Sequence, residues 1–130
     1  MSTFNEPNIF ATAGYDQGFF SPQRCSQPFG NCTAGNSTVE PYIVGDHVLV
    51  SHIAAVELYR KTNKAKQKGW IGFAILVNWM IPLTNKSTDV AATQRENDFM
   101  VRWILDSFVF GDYPGSMRNI VGSQLPSFTK

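Results

Sequence analysis

Three adjacent residues near the beginning of the sequence, Asn5, Glu6 and Pro7, combine an amide, a carboxylate and a rigid backbone position. A carboxyl group can donate or accept a proton, and a carboxamide can donate and accept hydrogen bonds. A structural role also accounts for the pair, because Asn is a favoured helix N-cap and Glu is stabilised near the positive end of a helix dipole. These residues alone therefore leave a catalytic and a structural interpretation open.

Two cysteines, Cys25 and Cys32, lie seven residues apart in a polar stretch rich in Pro, Gly and Asn. A disulfide between them would close a small surface loop, and the alternative is a pair of free thiols. We favour the disulfide because the count is even and the surroundings are polar. The sequence has no Cys-His cluster of the kind that binds zinc, and His47 and His52 are interpreted as helix-face or core residues. We expect no metal and no cofactor.

The composition predicts a globular domain. The chain has 130 residues, 43% of them hydrophobic and 13% aromatic, which suffices for a packed core and argues against disorder. Eleven basic and ten acidic residues give a net charge of +1, so nucleic acid and anionic membranes are not expected as partners. No apolar run reaches the roughly 20 residues that span a bilayer. The first ten residues lack the pattern of a signal peptide.

The elements that must position Asn5 and Glu6 follow the order of an α/β protein. A continuous apolar run without alternation is typical of a parallel strand that is buried on both faces. A long irregular loop inside a compact domain is usually functional or disordered, and Phe19, Phe20 and Phe29 favour an ordered, functional loop. The predicted elements are a strand end at 1–4, a helix at 8–15, this loop at 16–39, a helix at 40–66, a buried strand at 70–77, and helices at 89–110 and 114–121.

This order indicates β/α units with a parallel sheet, but it contains one whole strand and the end of another. Such a pair cannot close a sheet, and both of its edges would lie bare. The helix at 40–66 is predicted to bury a stripe that contains Val44, Val48, Ala55 and Tyr59. The pattern predicts a piece of a larger protein.

A series of short motifs runs through the chain in a fixed order. Together these motifs resemble family 1 glycoside hydrolases, and the cysteine loop is similar to that of the plant β-glucosidases. They are TFNEP at 3–7, GYD at 14–16, RCS at 24–26, NCTAGNS at 31–37, EPY at 40–42, SH at 51–52, GWIG at 69–72, NW at 78–79, LD at 105–106, GDYP at 111–114 and LP at 125–126.

The resemblance implies a (β/α)₈ TIM barrel in which catalytic groups stand at the carboxyl ends of strands. Residues 1–130 would be a central fragment of that single barrel domain. They would span the end of strand four to the helices after strand five, about two of the eight β/α units.

The resemblance also implies roles for individual residues. Glu6 matches the acid/base of a retaining glycosidase, and Asn5 matches the amide that binds the 2-hydroxyl of the sugar. The family's nucleophile lies in a Glu-Asn-Gly sequence. The chain has no such sequence, and its Glu96-Asn97 pair, followed by Asp98, is expected on a solvated face in the middle of a helix.

Four further residues correspond to the aglycone side of the pocket in similar enzymes. Ala13 and Phe20 match residues that shape this side, and Asn78 and Trp79 lie where strand five opens toward it. Ordinary packing is the alternative role for Phe20 and Trp79.

Two functions remain open at this stage. The first is a β-glucosidase, or a fragment of one, that hydrolyses the O-glycosyl bonds of β-glucosides by double displacement. The alternative is a non-catalytic truncated or partner-binding remnant of the family. The resemblance and three Asn-x-Ser/Thr sequons imply the secretory route (vacuole, endoplasmic reticulum or extracellular space) although the chain shows no signal peptide. The candidate glycosylation sites are Asn31, Asn36 and Asn85.

Overall fold

The computed structural model describes residues 1–28 and 30–128, so Phe29, which we expected to contribute to an ordered loop, lies outside the described residues. The chain divides into two compact units, the first from Met1 to Ile75 and the second from Leu76 onward.

The first unit contains a two-stranded parallel sheet and three helices. Ser2 pairs with Gly72 and Asn5 with Ala74, so the expected parallel arrangement of the two strands is confirmed. A parallel pair needs a crossover connection, which here contains all three helices. The elements are β1 (Ser2–Asn5), α1 (Pro7–Tyr15), α2 (Glu40–Thr62), α3 (Lys64–Gln67) and β2 (Gly72–Ala74).

β2 is shorter than the predicted strand at 70–77. Among the described residues its one partner is β1, whose four residues limit the length of the ladder. Trp70 is 86% exposed and Val77 is 49% exposed, so the apolar run is not buried on both faces here. That part of the prediction is wrong, because burial on both faces requires neighbours that these residues do not supply.

α2 buries a different stripe from the predicted one. Val48 and Tyr59 are buried as expected, whereas Val44 and Ala55 are half-buried. The other buried positions of the helix are Pro41, Gly45, Leu49 and His52. The predicted helix also ends earlier, at Thr62, and a separate helical turn, α3, follows it.

His52 connects α2 to the sheet. The hydroxyl of Thr3 lies 2.7 Å from Nδ1 of His52, and the same hydroxyl donates to the carbonyl of Gly72 at 3.1 Å. The ring of His52 packs edge-on against Phe73 at 4.8 Å between centroids. Burial lowers the pKa of His52 below its ordinary value. His52 is therefore a core residue, as expected, and His47 is exposed on the helix.

The disulfide loop follows α1. Cys25 and Cys32 form a disulfide with their Cα atoms 5.5 Å apart, which confirms the predicted pairing. Two glycines allow the chain to pack against the two sulfur atoms. A Cβ atom on Gly18 would lie 2.3 Å from Sγ of Cys32, and one on Gly30 would lie 2.3 Å from Sγ of Cys25. The loop is ordered by contacts that leave no room for side chains at these positions.

Polar contacts fix the same loop to the beginning of α2. The N–H of Ser26 donates to the hydroxyl of Ser37 at 2.8 Å, and the N–H of Ser37 donates to the hydroxyl of Ser26 at 2.9 Å. The guanidinium of Arg24 donates to both carboxylate oxygens of Glu40, at 2.7 and 2.6 Å. Such a two-pronged pair is geometrically specific. It lowers the pKa of the Glu40 carboxyl below its ordinary value.

The second unit is helical. The predicted helix at 89–110 is interrupted by a π-helical turn (Asp98–Arg102), in which the Asp98 carboxylate is buried and accepts hydrogen bonds from Gln94, Arg102 and Ser116. The regular helices are α4 (Ser87–Asn97), α5 (Trp103–Phe110) and α6 (Gly115–Val121), and a 3₁₀ turn follows at Gly122–Gln124.

No helix within the described residues is long and apolar enough to cross a membrane.

The predicted solvated position of Asn97 is wrong. Asn97 is 3% exposed and is the last residue of α4. Its carboxamide accepts a hydrogen bond from the N–H of Met80 at 2.9 Å and donates one to the carbonyl of Met80 at 3.0 Å. Asn97 therefore fixes the backbone that follows Trp79, a role that helical periodicity alone did not indicate.

Two glycines with the same positive φ provide a matched test of the packing around the disulfide. Gly18 and Gly111 both have a φ of 72°, but a Cβ atom on Gly111 would meet nothing within 4 Å. Both Gly→Ala variants place a side chain at positive φ, and the Gly18→Ala variant must also displace the disulfide. We expect Gly18→Ala to lower the free energy of unfolding by about 1–3 kcal/mol more than Gly111→Ala, as measured by urea denaturation. Equal losses would contradict the close packing at the disulfide.

The pair of Arg24 and Glu40 predicts a pH dependence of stability. The folded state lowers the pKa of Glu40, so its stabilisation is present above the ordinary value of 4.5 and is lost as the pH falls through the lower folded value. The difference in unfolding free energy between the parent and Glu40→Gln should therefore shrink at acidic pH. Urea denaturation over a pH series measures it, with Glu57→Gln, an exposed position on α2, as the control. A constant difference would show that Glu40 is not stabilised as a carboxylate.

Candidate active site

Glu6 lies at the junction of β1 and α1. Its N–H donates to the carbonyl of Ala74 at 2.8 Å, which continues the parallel ladder one residue beyond β1. Its own carbonyl accepts the N–H of Phe10 at 2.9 Å, the first hydrogen bond of the helix. Pro7 occupies the first helical position, where a missing N–H is tolerated. The backbone of Glu6 is thus fixed from both sides.

The backbone of Glu6 is strained. Its φ of 49° and ψ of 56° lie in the left-handed region, which costs a residue with a Cβ atom about 1–2 kcal/mol. The following proline further disfavours conformations outside the extended region. Strained residues of this kind concentrate at functional sites, where the surrounding structure holds them.

The structural interpretation of the Asn-Glu pair fails for Asn5 but stays open for Glu6, which lies at the beginning of α1, where the helix dipole stabilises a carboxylate. Asn5 belongs to β1 and is exposed, and the N-cap position is occupied by Glu6. Glu6 makes no side-chain capping hydrogen bond, and within the described residues its carboxylate, which is half-buried, has no hydrogen-bond or ion-pair partner. A carboxyl group at the carboxyl end of a parallel strand is therefore available for proton transfer.

Ala13 and Phe20 are connected at the other end of α1. Ala13 is 5% exposed, and its carbonyl accepts the N–H of Phe20 at 3.1 Å. The side chain of Phe20 is 57% exposed, so it is not a core residue of the first unit. Helix α1 thus carries Glu6 at its start and Phe20 just beyond its end.

Asn78 and Trp79 belong to the second unit. Both are exposed, Trp79 by 61%, and the backbone of Met80 directly after them is held by Asn97. Their proposed contact with an aglycone stays a prediction.

The three sequon asparagines, Asn31, Asn36 and Asn85, are all exposed. Oδ1 of Asn36 accepts hydrogen bonds from the N–H and the hydroxyl of Thr38, at 3.1 and 2.7 Å. Exposure is compatible with a glycan, whose presence stays a prediction. Among the described residues no group of three or more His, Cys, Asp or Glu side chains could hold a metal ion.

Sequence reasoning missed a cavity beside the disulfide. It has a volume of about 1060 Å³ and is lined by Asp16, Gly18, Cys32 and residues of the surrounding loop. The available signal was the concentration of glutamines at positions 17, 23 and 27 in a loop that we already expected to be functional.

Comparison with known proteins decides the family. The profile of Glycosyl hydrolase family 1 matches residues 1–130. The chain belongs to this family. It is 52% identical to Beta-glucosidase 22 of Oryza sativa subsp. japonica over 130 residues, which are 99% of this chain and 24% of the relative. It is 51% identical to Beta-glucosidase 44 of Arabidopsis thaliana, of which it covers 25%.

The fold of this family 1 chain agrees with solved structures. The crystal structure of the rice Os3BGlu6 β-glucosidase superimposes with a TM-score of 0.93 at 45% identity, covering 98% of this chain and 27% of that one. The family 1 chain therefore spans about a quarter of the length of the relatives that it matches. Its strands and helices form part of an α/β barrel.

The strain at Glu6 predicts an inverted preference between glycine and alanine. Gly adopts the left-handed region without a Cβ penalty, whereas it gives the unfolded chain more entropy than Ala does. The net free energy of unfolding should therefore be higher for Glu6→Gly than for Glu6→Ala, by up to about 1 kcal/mol. At Glu57, in the interior of α2, the order should be reversed by about 1 kcal/mol.

Urea denaturation of the four variants checks this prediction. A Glu6→Gly variant that is less stable than Glu6→Ala, with the normal order at Glu57, would show that the left-handed conformation carries no strain.

Proposed function

We propose that this chain is the part of a retaining β-glucosidase that carries its acid/base, and that it contributes about two of the eight β/α units of the barrel. The observation that carries this proposal is Glu6 in a chain of this family. Its strained backbone lies at the end of a parallel strand, and its carboxyl has no partner among the described residues. Residues 1–130 would form a central part of one barrel domain, with catalysis completed by the rest of that barrel.

In the proposed reaction Glu6 acts twice. As an acid it protonates the departing glycosidic oxygen, and as a base it then removes a proton from the water that attacks the glycosyl-enzyme. A nucleophilic carboxylate about 5–5.5 Å away forms the covalent bond to the sugar. A mutant of the rice Os3BGlu6 enzyme, 44% identical to this chain, is described in a covalent complex with Glc, which supports double displacement.

Asn5 is proposed to hold the sugar. Its exposed carboxamide stands one residue before Glu6, where it can hydrogen-bond the 2-hydroxyl, a contact that strengthens in the transition state. Ala13, Phe20, Asn78 and Trp79 are proposed to shape the aglycone side. The substrate class is a β-glucoside.

The nucleophile is proposed to come from outside residues 1–130. Glu96 and Asn97 are followed by Asp98 rather than Gly, and the side chain of Asn97 is occupied by the backbone of Met80. The proposed destination is the secretory route. The disulfide, the three exposed sequons and membership of the family support it.

One observation favours a second candidate, a non-catalytic member of the family. A rice relative described as Probable inactive beta-glucosidase 14 is 44% identical over 128 residues, so a chain of this kind also occurs in a protein considered inactive. The two candidates differ in one property, namely whether Glu6 supports turnover when the remainder of a barrel is present.

A chimera tests the proposal. Residues 1–130 would replace the matching segment of rice Beta-glucosidase 22, with the isolated chain measured in parallel. We expect the chimera to hydrolyse an aryl β-glucoside, Glu6→Gln to reduce the rate about 10²–10⁴-fold, and the isolated chain to be inactive. The Glu6→Gln change should reduce the rate more for a substrate with a poor leaving group than for one that releases dinitrophenolate, because only a poor leaving group needs protonation by Glu6.

The control is Glu57→Gln, which removes an exposed carboxylate from α2. A Glu6→Gln chimera as active as its parent would contradict the role of Glu6. A folded but inactive parent chimera would favour the non-catalytic candidate.

A further inference from the structure

A disulfide and several hydrogen bonds cross-link the described walls of the cavity. The Cys25–Cys32 bond crosses the loop, and the reciprocal hydrogen bonds of Ser26 and Ser37 join its two sides. The hydroxyl of Ser37 also donates to the carbonyl of Asp16 at 2.9 Å. A cavity whose walls are fixed before binding loses little conformational entropy when it is filled.

Three glutamines in the lining offer unused hydrogen-bonding groups. Gln17, Gln23 and Gln27 are exposed, and within the described residues their carboxamides make no hydrogen bond. Each carboxamide presents two donors and an acceptor. Gln23 is held at a φ of 58°, a strained conformation for a residue other than glycine, as is common in binding loops.

The lining also contains an exposed aromatic ring and little charge. Phe19 is 76% exposed, which leaves its face available for packing. Asp16 is the one ionisable side chain of the described lining residues, so an anion would meet repulsion and a metal ion would lack ligands. The side chain of Arg24 is already engaged by Glu40. These features favour a ligand without negative charge that has many hydroxyl groups and an apolar face.

We propose that this cavity binds an uncharged saccharide, with the carboxamides hydrogen-bonded to sugar hydroxyls and Phe19 packed against the carbon-bound hydrogens of a pyranose ring. The site is separated from Glu6 by the nine residues of α1, about 14 Å of helix. Binding there does not require Glu6 to be catalytic.

Titration of the bacterially produced chain with cellotriose tests this proposal, because bacterial production leaves Asn31, another lining residue, without a glycan. We expect saturable binding with amide chemical-shift changes confined to residues 16–38. Phe19→Ala, and the double variant Gln17→Ala with Gln23→Ala, should each weaken binding about tenfold, the amount expected for one or two lost contacts. These side chains are exposed, so the variants should keep the parent's amide spectrum and disulfide.

Matched controls remove the same chemical groups elsewhere. Trp70→Ala and Gln67→Ala delete an exposed ring and an exposed carboxamide outside the cavity and should leave the affinity unchanged. Glu6→Gln should also bind normally, which separates this site from the proposed catalytic one. Absence of saturable binding by the folded chain, shift changes away from residues 16–38, or an equal loss in Trp70→Ala would overturn the proposal.

Discussion

The parallel pairing of β1 with β2 determines where the candidate acid/base stands. The N–H of Glu6 completes the ladder by donating to Ala74, so the backbone of Glu6 cannot relax without loss of that hydrogen bond. Pro7 starts α1 immediately afterwards, and Glu6, between these two constraints, has the left-handed conformation. The sheet and the helix therefore hold the strain at a residue whose carboxylate has no partner in the part of the chain that the structure describes.

The sheet in turn depends on α2. The hydroxyl of Thr3 joins β1, β2 and the helix, because it contacts both His52 and the carbonyl of Gly72. A hydroxyl that contacts a buried imidazole and a backbone carbonyl at once favours one register of packing, because a displacement would lengthen both contacts. This explains why a histidine occupies an otherwise apolar stripe of α2.

The sequence predicted the features that depend on short-range chemistry. The disulfide and the start of α2 follow from paired cysteines and from proline, and the parallel strands follow from an apolar run and the order of the elements. Prediction from the sequence failed where the burial of a residue depends on neighbours that are distant in the chain. The run from 70 to 77 looks like a strand covered on both faces, but β1 is too short to pair with all of it. Periodicity predicts a solvated Asn97, because it cannot show that the backbone of Met80, 17 residues earlier, hydrogen-bonds the Asn97 side chain.

The two candidate sites differ in what they need from the rest of a barrel. The proposed acid/base role of Glu6 needs a second carboxylate, and the proposed source of that group lies beyond residues 1–130. The exposed apolar side chains of α2, among them Ile43, Val50 and Leu58, are consistent with further neighbours, because the matched relatives are about four times as long. The cavity at the disulfide needs no such addition, since its lining and its cross-links come from one continuous loop within the first unit. The proposed catalysis thus depends on assembly of the barrel, whereas the proposed saccharide binding at the loop depends on local cross-links alone.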